Sequence, residues 1–164
     1  FPHDYAIIFP LLRSFACAHQ WELTMPNIRP IAICVFRNRD KILVYEEYDF
    51  AKKQTFYRPL GGGIEFGETS AETIHREMLE EMNAEVADLK YLCTLENIFV
   101  FNGKPGHEIV VVYDGRLVNS GLYEQAEMSG LEADGISLRV LWKRLDEFSP
   151  ESPLYPEGLL EILR

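Results

Sequence analysis

The sequence predicts an α/β fold, a mixed β-sheet with helices on its faces. Three observations carry that expectation. Residues 31–36 and 41–48 are β-rich runs on either side of the polar turn Arg37-Asn38-Arg39-Asp40, the pattern of a hairpin. Residues 69–82 bear an apolar stripe, Ala71, Ile74, Met78 and Met82, at the three- and four-residue steps of an amphipathic helix. Ile109-Val110-Val111-Val112-Tyr113 opens a near-continuous apolar run over residues 109–117, which reads as a central strand. A chain of 164 residues, 47% of them apolar and 12% aromatic, is long enough to bury one sizeable core.

Taken in order, the first 24 residues have no clear period, and the first methionine is Met25. Two readings stay open for residues 1–24: a non-native extension, or an ordered arm packed on a domain of residues 25–164. After the two strands, residues 49–54 form a polar connection. Arg58-Pro59-Leu60-Gly61-Gly62-Gly63 is glycine-dense and reads as an irregular loop. Thr69 or Ser70 caps the helix, Glu72 lies in its first turn, and Asn83 stands where a helix ends in a left-handed residue. Residues 84–95 and 97–102 read as extended, with a turn at Gly103-Lys104-Pro105-Gly106. Residues 119–134 read as a loop, 140–142 as a short strand and 145–148 as one helical turn. Residues 156–164 read as a terminal helix with Pro156 in its first turn.

The chain carries 26 acidic and 16 basic residues, a formal net charge of −10. Such a surface disfavours broad binding to a nucleic-acid polymer or an anionic membrane. It does not exclude a small anion delivered with a metal ion, which reverses the local sign. Much of the excess is local, because residues 61–85 hold seven glutamates against one arginine. Cys17, Cys34 and Cys93 are widely spaced and match no zinc pattern, so buried free thiols in a reducing compartment are expected. Residues 6–18 lack the basic flank of a signal peptide, and no run reaches the ~18 apolar residues of a membrane span. A cytoplasmic protein is the expectation.

The chemistry concentrates between Gly62 and Ala84. Glu77, Glu80 and Glu81 stand at i, i+3 and i+4, within an arc of about 100° on one helix face. Like charges that close destabilise a bare helix, and a hard divalent cation with oxygen ligands compensates them. Mg²⁺ or Mn²⁺ suits the site better than Zn²⁺, because no His or Cys shares the face. Arg76 can pair with Glu68 and hold the glycine segment against the helix. Gly61 and Gly62 let the backbone approach closely and present N–H groups to phosphate oxygens.

Gly62, five residues, Glu68, seven residues, then Arg76-Glu77-Met78-Leu79-Glu80-Glu81-Met82-Asn83-Ala84 resembles the signature of the Nudix hydrolases. Every signature position matches except Asn83, where the family has glycine, and Asn is the next best residue for a left-handed helix end. The resemblance implies an α/β/α sandwich around a mixed sheet. It implies hydrolysis of a nucleoside diphosphate linked to another group: ADP-ribose or a nucleotide sugar, a dinucleoside polyphosphate, or a nucleoside triphosphate. Glu77, Glu80 and Glu81 would then be the Mg²⁺ ligands, with Glu68 and Arg76 as the supporting pair and Glu80 and Glu81 in the catalytic set. A carboxylate must take a proton from the attacking water, and the family places that base either in the signature helix or outside it. Outside it, Glu108 is the leading candidate, followed by Glu127, Glu132 and Asp134. Arg58 can meet a phosphate, and Phe56 and Tyr57 can stack on a base or pack in the core. His107 and His75 read as structural or surface residues, and Trp142 as core. The expected partner is a small nucleotide-type substrate, with no nucleic-acid polymer, no membrane, and a homodimer as the oligomeric prior. A non-catalytic nucleotide-binding or regulatory domain on the same scaffold is the alternative.

Overall fold

A computed structural model describes residues 27–131, 135 and 137–164. Residues 1–24, Cys17, Glu132 and Asp134, on which expectations were placed, lie outside the described residues. Eight strands form one mixed sheet: β1 (Arg29–Asn38), β2 (Lys41–Asp49), β3 (Gln54–Arg58), β4 (Leu60–Gly63), β5 (Val86–Phe101), β6 (Lys104–Leu117), β7 (Glu127–Leu131) and β8 (Ser137–Arg144). Their order is β5-β6-β1-β2-β8-β7, with β4 also on β1 and β3 also on β2. The β1–β6 pair is parallel and the other pairs are antiparallel. Helix α1 (Ser70–Met82) precedes β5, and helix α2 (Leu159–Leu163) closes the chain.

Strand β1 organises the core. Successive side chains of a strand point to opposite faces. Ala32, Cys34 and Phe36 enter one apolar cluster with Ile74 and Met78 of α1. Ile31, Ile33 and Val35 enter a second with Leu159 and Leu163 of α2. Residues 31–36 are all buried, which is why the segment reads as an unbroken apolar run. The layers are therefore helix, sheet and helix, the expected α/β/α sandwich.

Helix α1 forms where the period places it. Thr69 is its N-cap, and Glu72 accepts a 2.8 Å bond from the Thr69 N–H while the Thr69 hydroxyl accepts from the Glu72 N–H, a reciprocal capping box. Asn83 ends it in the left-handed region, φ 47° and ψ 43°, and its N–H donates to the Leu79 carbonyl at 3.0 Å.

Several local expectations are corrected. The glycine-dense segment is strand β4, because Leu60–Gly63 pair with Ile31–Cys34 of β1, and pairing overrides low strand propensity. The β1–β2 hairpin closes over only Arg37↔Ile42 and Asn38↔Lys41, after which each strand joins a different half of the sheet. Residues 86–101 form one strand, since β6 pairs along the whole of it. The turn beyond it is confined to Asn102 and Gly103, both left-handed at φ 49° and 77°, the Asn-Gly hairpin geometry, and Lys104–Gly106 already belong to β6. The acidic segment after Asn119 contains a 3₁₀ turn and β7. Residues 145–147 make a 3₁₀ turn, and the terminal helix starts only after Gly158. Cys34 is buried, which pushes its thiol pKa up, whereas Cys93 is only partly buried. No helix among the described residues is long and apolar enough to cross a membrane.

Candidate active site

Strand β4 brings its backbone against β1 and α1 with almost no clearance. A Cβ on Gly61 would stand 2.2 Å from the Ala32 carbonyl oxygen, at a φ of +135°. A Cβ on Gly62 would stand 2.2 Å from Glu77 Oε1. The missing side chain at Gly62 is therefore the space the Glu77 carboxylate occupies. One turn along, Arg76 binds Glu68 in a fork: Nε donates to Oε1 at 2.9 Å and Nη2 to Oε2 at 3.0 Å. Nη2 also donates to the Gly63 carbonyl at 2.9 Å, so Arg76 ties strand, loop and helix together. Its Nη1 reaches Glu77 Oε1 at 2.8 Å and Glu80 Oε2 at 3.2 Å.

The Arg76 hydrogen bonds, assisted by the Thr73 hydroxyl, hold the Glu68 carboxyl down at about 2, against an ordinary 4.5. A depressed folded-state value stabilises the fold above the unfolded value and loses that contribution as pH falls through the folded one. The stabilisation from this pair is thus complete above about pH 4.5 and fades toward pH 2. Glu68→Gln is expected to lower the melting temperature at pH 7 and to flatten its acid limb between those two values, read by thermal denaturation across pH.

Glu77, Glu80 and Glu81 share the helix face their spacing predicts, and Glu81 lines a cavity of about 190 Å³ with Gly61, Gly62, Gly63, Arg29 and Arg58. The donors on this face are all carboxylate oxygens, and Gly62 leaves the Glu77 carboxylate room, so the residues fit a hard divalent cation. Among the described residues no three acidic, His or Cys groups already close around a common point. Instead the Arg76 guanidinium bridges Glu77 and Glu80.

A second cavity, of about 330 Å³, adjoins the first. Phe56, Phe99, Phe101 and Tyr155 supply aromatic wall, and Glu47, Asp49 and Asn97 supply polar groups. Phe56 packs edge-on against both Phe101 and Tyr155, with centroids 5.6 and 5.5 Å away. Gly106 leaves room for the Phe99 ring, whose Cζ would lie 2.4 Å from a Cβ there. Asp49 accepts the Ala51 and Lys52 N–H groups, each at 2.9 Å. Arg29, Tyr45 and Arg58 line both cavities, which are therefore two arms of one cleft. Phe56 and Arg58 point into it because they alternate with Tyr57 along β3, and Tyr57 is buried in the second core.

Glu108 does reach this cleft, but its side chain is fully buried and both oxygens are engaged. Arg29 Nη2 donates to Oε1, and Arg58 Nη2 donates to Oε2 at 3.1 Å, with Asn97 Nδ2 at 3.4 Å from the same oxygen. Glu127 lies outside both cavities, paired with Arg139 at 2.8 Å. His107 bonds Glu96 at 2.8 Å, His75 is exposed, and Trp142 is buried with its indole N–H on the Leu122 carbonyl. Sequence reasoning missed Arg29, Tyr45, Asn97 and the Phe99–Phe101–Tyr155 wall. Arg29 had no local signal, since it meets Glu108 only through the parallel β1–β6 register.

The NUDIX domain family matches residues 26–158, and the chain belongs to that family. Over 80 residues it is 30% identical to the NAD-capped RNA hydrolase NudC of Pseudomonas syringae pv. tomato, a match covering 49% of this chain and 28% of that protein. The chain thus spans less than a third of the length of this curated relative. A MutT NUDIX hydrolase from Burkholderia pseudomallei has the same fold, with a TM-score of 0.54 at 19% identity over 84% of this chain and 97% of the other. An ADP-ribose pyrophosphatase from Streptococcus suis also matches in fold, with a TM-score of 0.54 at 15% identity over 84% and 87%.

Proposed function

We propose that the protein hydrolyses a pyrophosphate bond in a nucleoside diphosphate linked to another group. The observation that carries this is the continuity of the cleft. Arg29, Tyr45 and Arg58 belong to both the glycine-and-carboxylate arm and the aromatic arm, so one ligand can lie across the two. Two guanidiniums at the junction, their charge offset in part by Glu108, can donate to the oxygens of a diphosphate. The aromatic arm offers rings for a base to stack on, and the Glu47 and Asp49 carboxylates there can accept hydrogen bonds from hydroxyl or amino groups. At about 330 Å³ it has the size of a small-ligand site, enough for one nucleoside.

Glu77, Glu80 and Glu81 would hold Mg²⁺, or Mn²⁺ in its place. Bound there, the metal supplies charge neutralisation of the diphosphate and a lowered pKa for the attacking water. The chain's own residues do the rest. Arg76, anchored on Glu68 and the Gly63 carbonyl, fixes the helix carboxylates relative to β4. Gly61 and Gly62 allow the phosphates to approach the backbone. A carboxylate of the helix takes the proton from the water.

The test is a phosphate-release screen with Mg²⁺ over ADP-ribose, nucleotide sugars, dinucleoside polyphosphates, nucleoside triphosphates and NAD-capped RNA, with a coupling phosphatase or pyrophosphatase. A small-molecule substrate is expected to outrun the capped polymer, in keeping with a net charge of −10. The capped RNA arm is included because the curated relative carries that activity in its name. Turnover of none of them would favour the non-catalytic binding-domain reading.

A further inference from the structure

We propose that Glu108 is a positioning residue that holds Arg29 and Arg58 as a two-guanidinium clamp for the ligand's diphosphate. The inference rests on the reading of the cleft as a diphosphate site, and it deepens that reading by assigning the group that builds the anion-binding junction. Glu108 is the one fully buried acidic side chain among the described residues. It opens the apolar run of β6, on the sheet face that carries Val110 and Val112 into the second core. A lone carboxylate at such a place is costly, and it persists when charge-assisted hydrogen bonds compensate it.

Those bonds come from two strands that the sheet itself aligns. Arg29 is the direct register partner of Glu108 across the parallel β1–β6 pair, and Arg58 ends β3. Each guanidinium takes a different oxygen of the carboxylate. Asn97, directly opposite Glu108 on β5, fixes the carboxylate from behind. The two arginines differ in exposure. Side-chain accessibility is 16% for Arg58 and 61% for Arg29, so Arg29 keeps much of its surface free for an incoming anion.

A general base needs an oxygen open to water, and Glu108 has neither exposure nor a vacant oxygen toward the cleft. What it does have is control over two donors. A guanidinium has five N–H groups, and Glu108 takes one from each arginine, so the exposed Arg29 can turn others toward a diphosphate. Pre-ordering these long side chains removes entropy that would otherwise be lost when the anion binds.

The probe is inorganic pyrophosphate, titrated calorimetrically into the full chain in saturating Mg²⁺. Glu108→Gln and Arg29→Gln are each expected to weaken binding about ten- to a hundredfold. The double variant should lose less than the two single losses multiplied together, because Glu108 acts in part through Arg29. With a turned-over substrate from the screen, Glu108→Gln should raise KM more than it lowers kcat. Should Glu108→Gln melt below the assay temperature, Arg29→Gln and Arg58→Lys carry the test, Arg29 being mostly exposed. Wild-type affinity in Glu108→Gln with a collapsed kcat would overturn the clamp and make Glu108 the base. Absence of pyrophosphate binding by the unmodified protein would overturn it as well. Failure of the hydrolase reading looks different: pyrophosphate would bind and respond to the variants while no nucleotide was hydrolysed.

Discussion

Glu81→Gln should reduce turnover of the substrate found in the screen by at least about a hundredfold while leaving the melting temperature within a few degrees of the unmodified protein. The substitution keeps size and shape but removes a charge from the arm of the cleft that Glu81 shares with Gly61–Gly63. If that arm holds a divalent cation against a diphosphate, one carboxylate less leaves both the cation and the developing charge poorly stabilised. The measurement is kcat/KM over a range of Mg²⁺, beside a thermal melt. Full activity in a folded variant would remove Glu81 from the metal set.

The second large effect falls on folding. Gly61→Ala is expected to destabilise the protein by about 2–5 kcal/mol, the sum of a strained left-handed residue and a backbone clash. The new methyl would meet the Ala32 carbonyl oxygen at 2.2 Å and the Ile33 Cα at 2.8 Å, and neither can swing away as a side-chain tip could. Denaturant titration of the purified variant measures this directly, and a loss below 1 kcal/mol would mean that β4 has room to retreat. Gly62→Ala is the useful contrast. Its nearest neighbour is the flexible end of Glu77, so that variant should fold and pay in the placement of a carboxylate.

That contrast also marks how far the site was legible from the sequence. The carboxylate helix was readable because its information is local: an apolar stripe, a capping threonine, and glutamates at helical steps all lie within residues 69–83. The Arg76–Glu68 pair was readable for the same reason, being eight residues apart. The glycine segment was misread as a loop because three glycines in a row carry no strand preference, and only the pairing with Ile31–Cys34 gives the segment its form. The opposite wall of the cleft was least legible. Arg29 and Glu108 are 79 residues apart, and a parallel register leaves no local trace of which residues will face each other. The aromatic arm is assembled likewise from β3, β5 and the segment before α2, each unremarkable alone.

Strand β1 lies between these two walls, with Ala32 facing Gly62 on one edge and Arg29 facing Glu108 on the other. It works as a gauge block. The span from the carboxylate arm to the guanidinium junction is set by a few residues of extended chain, clamped above and below by the two cores. Such a cleft cannot be widened or narrowed by moving one wall alone, because sliding β1 by a single residue would exchange the contents of both cores. Diversification to longer or shorter substrates on this scaffold should therefore occur at the aromatic end, around Phe99, Phe101 and Tyr155, where side chains can change without disturbing the spacing between the charges.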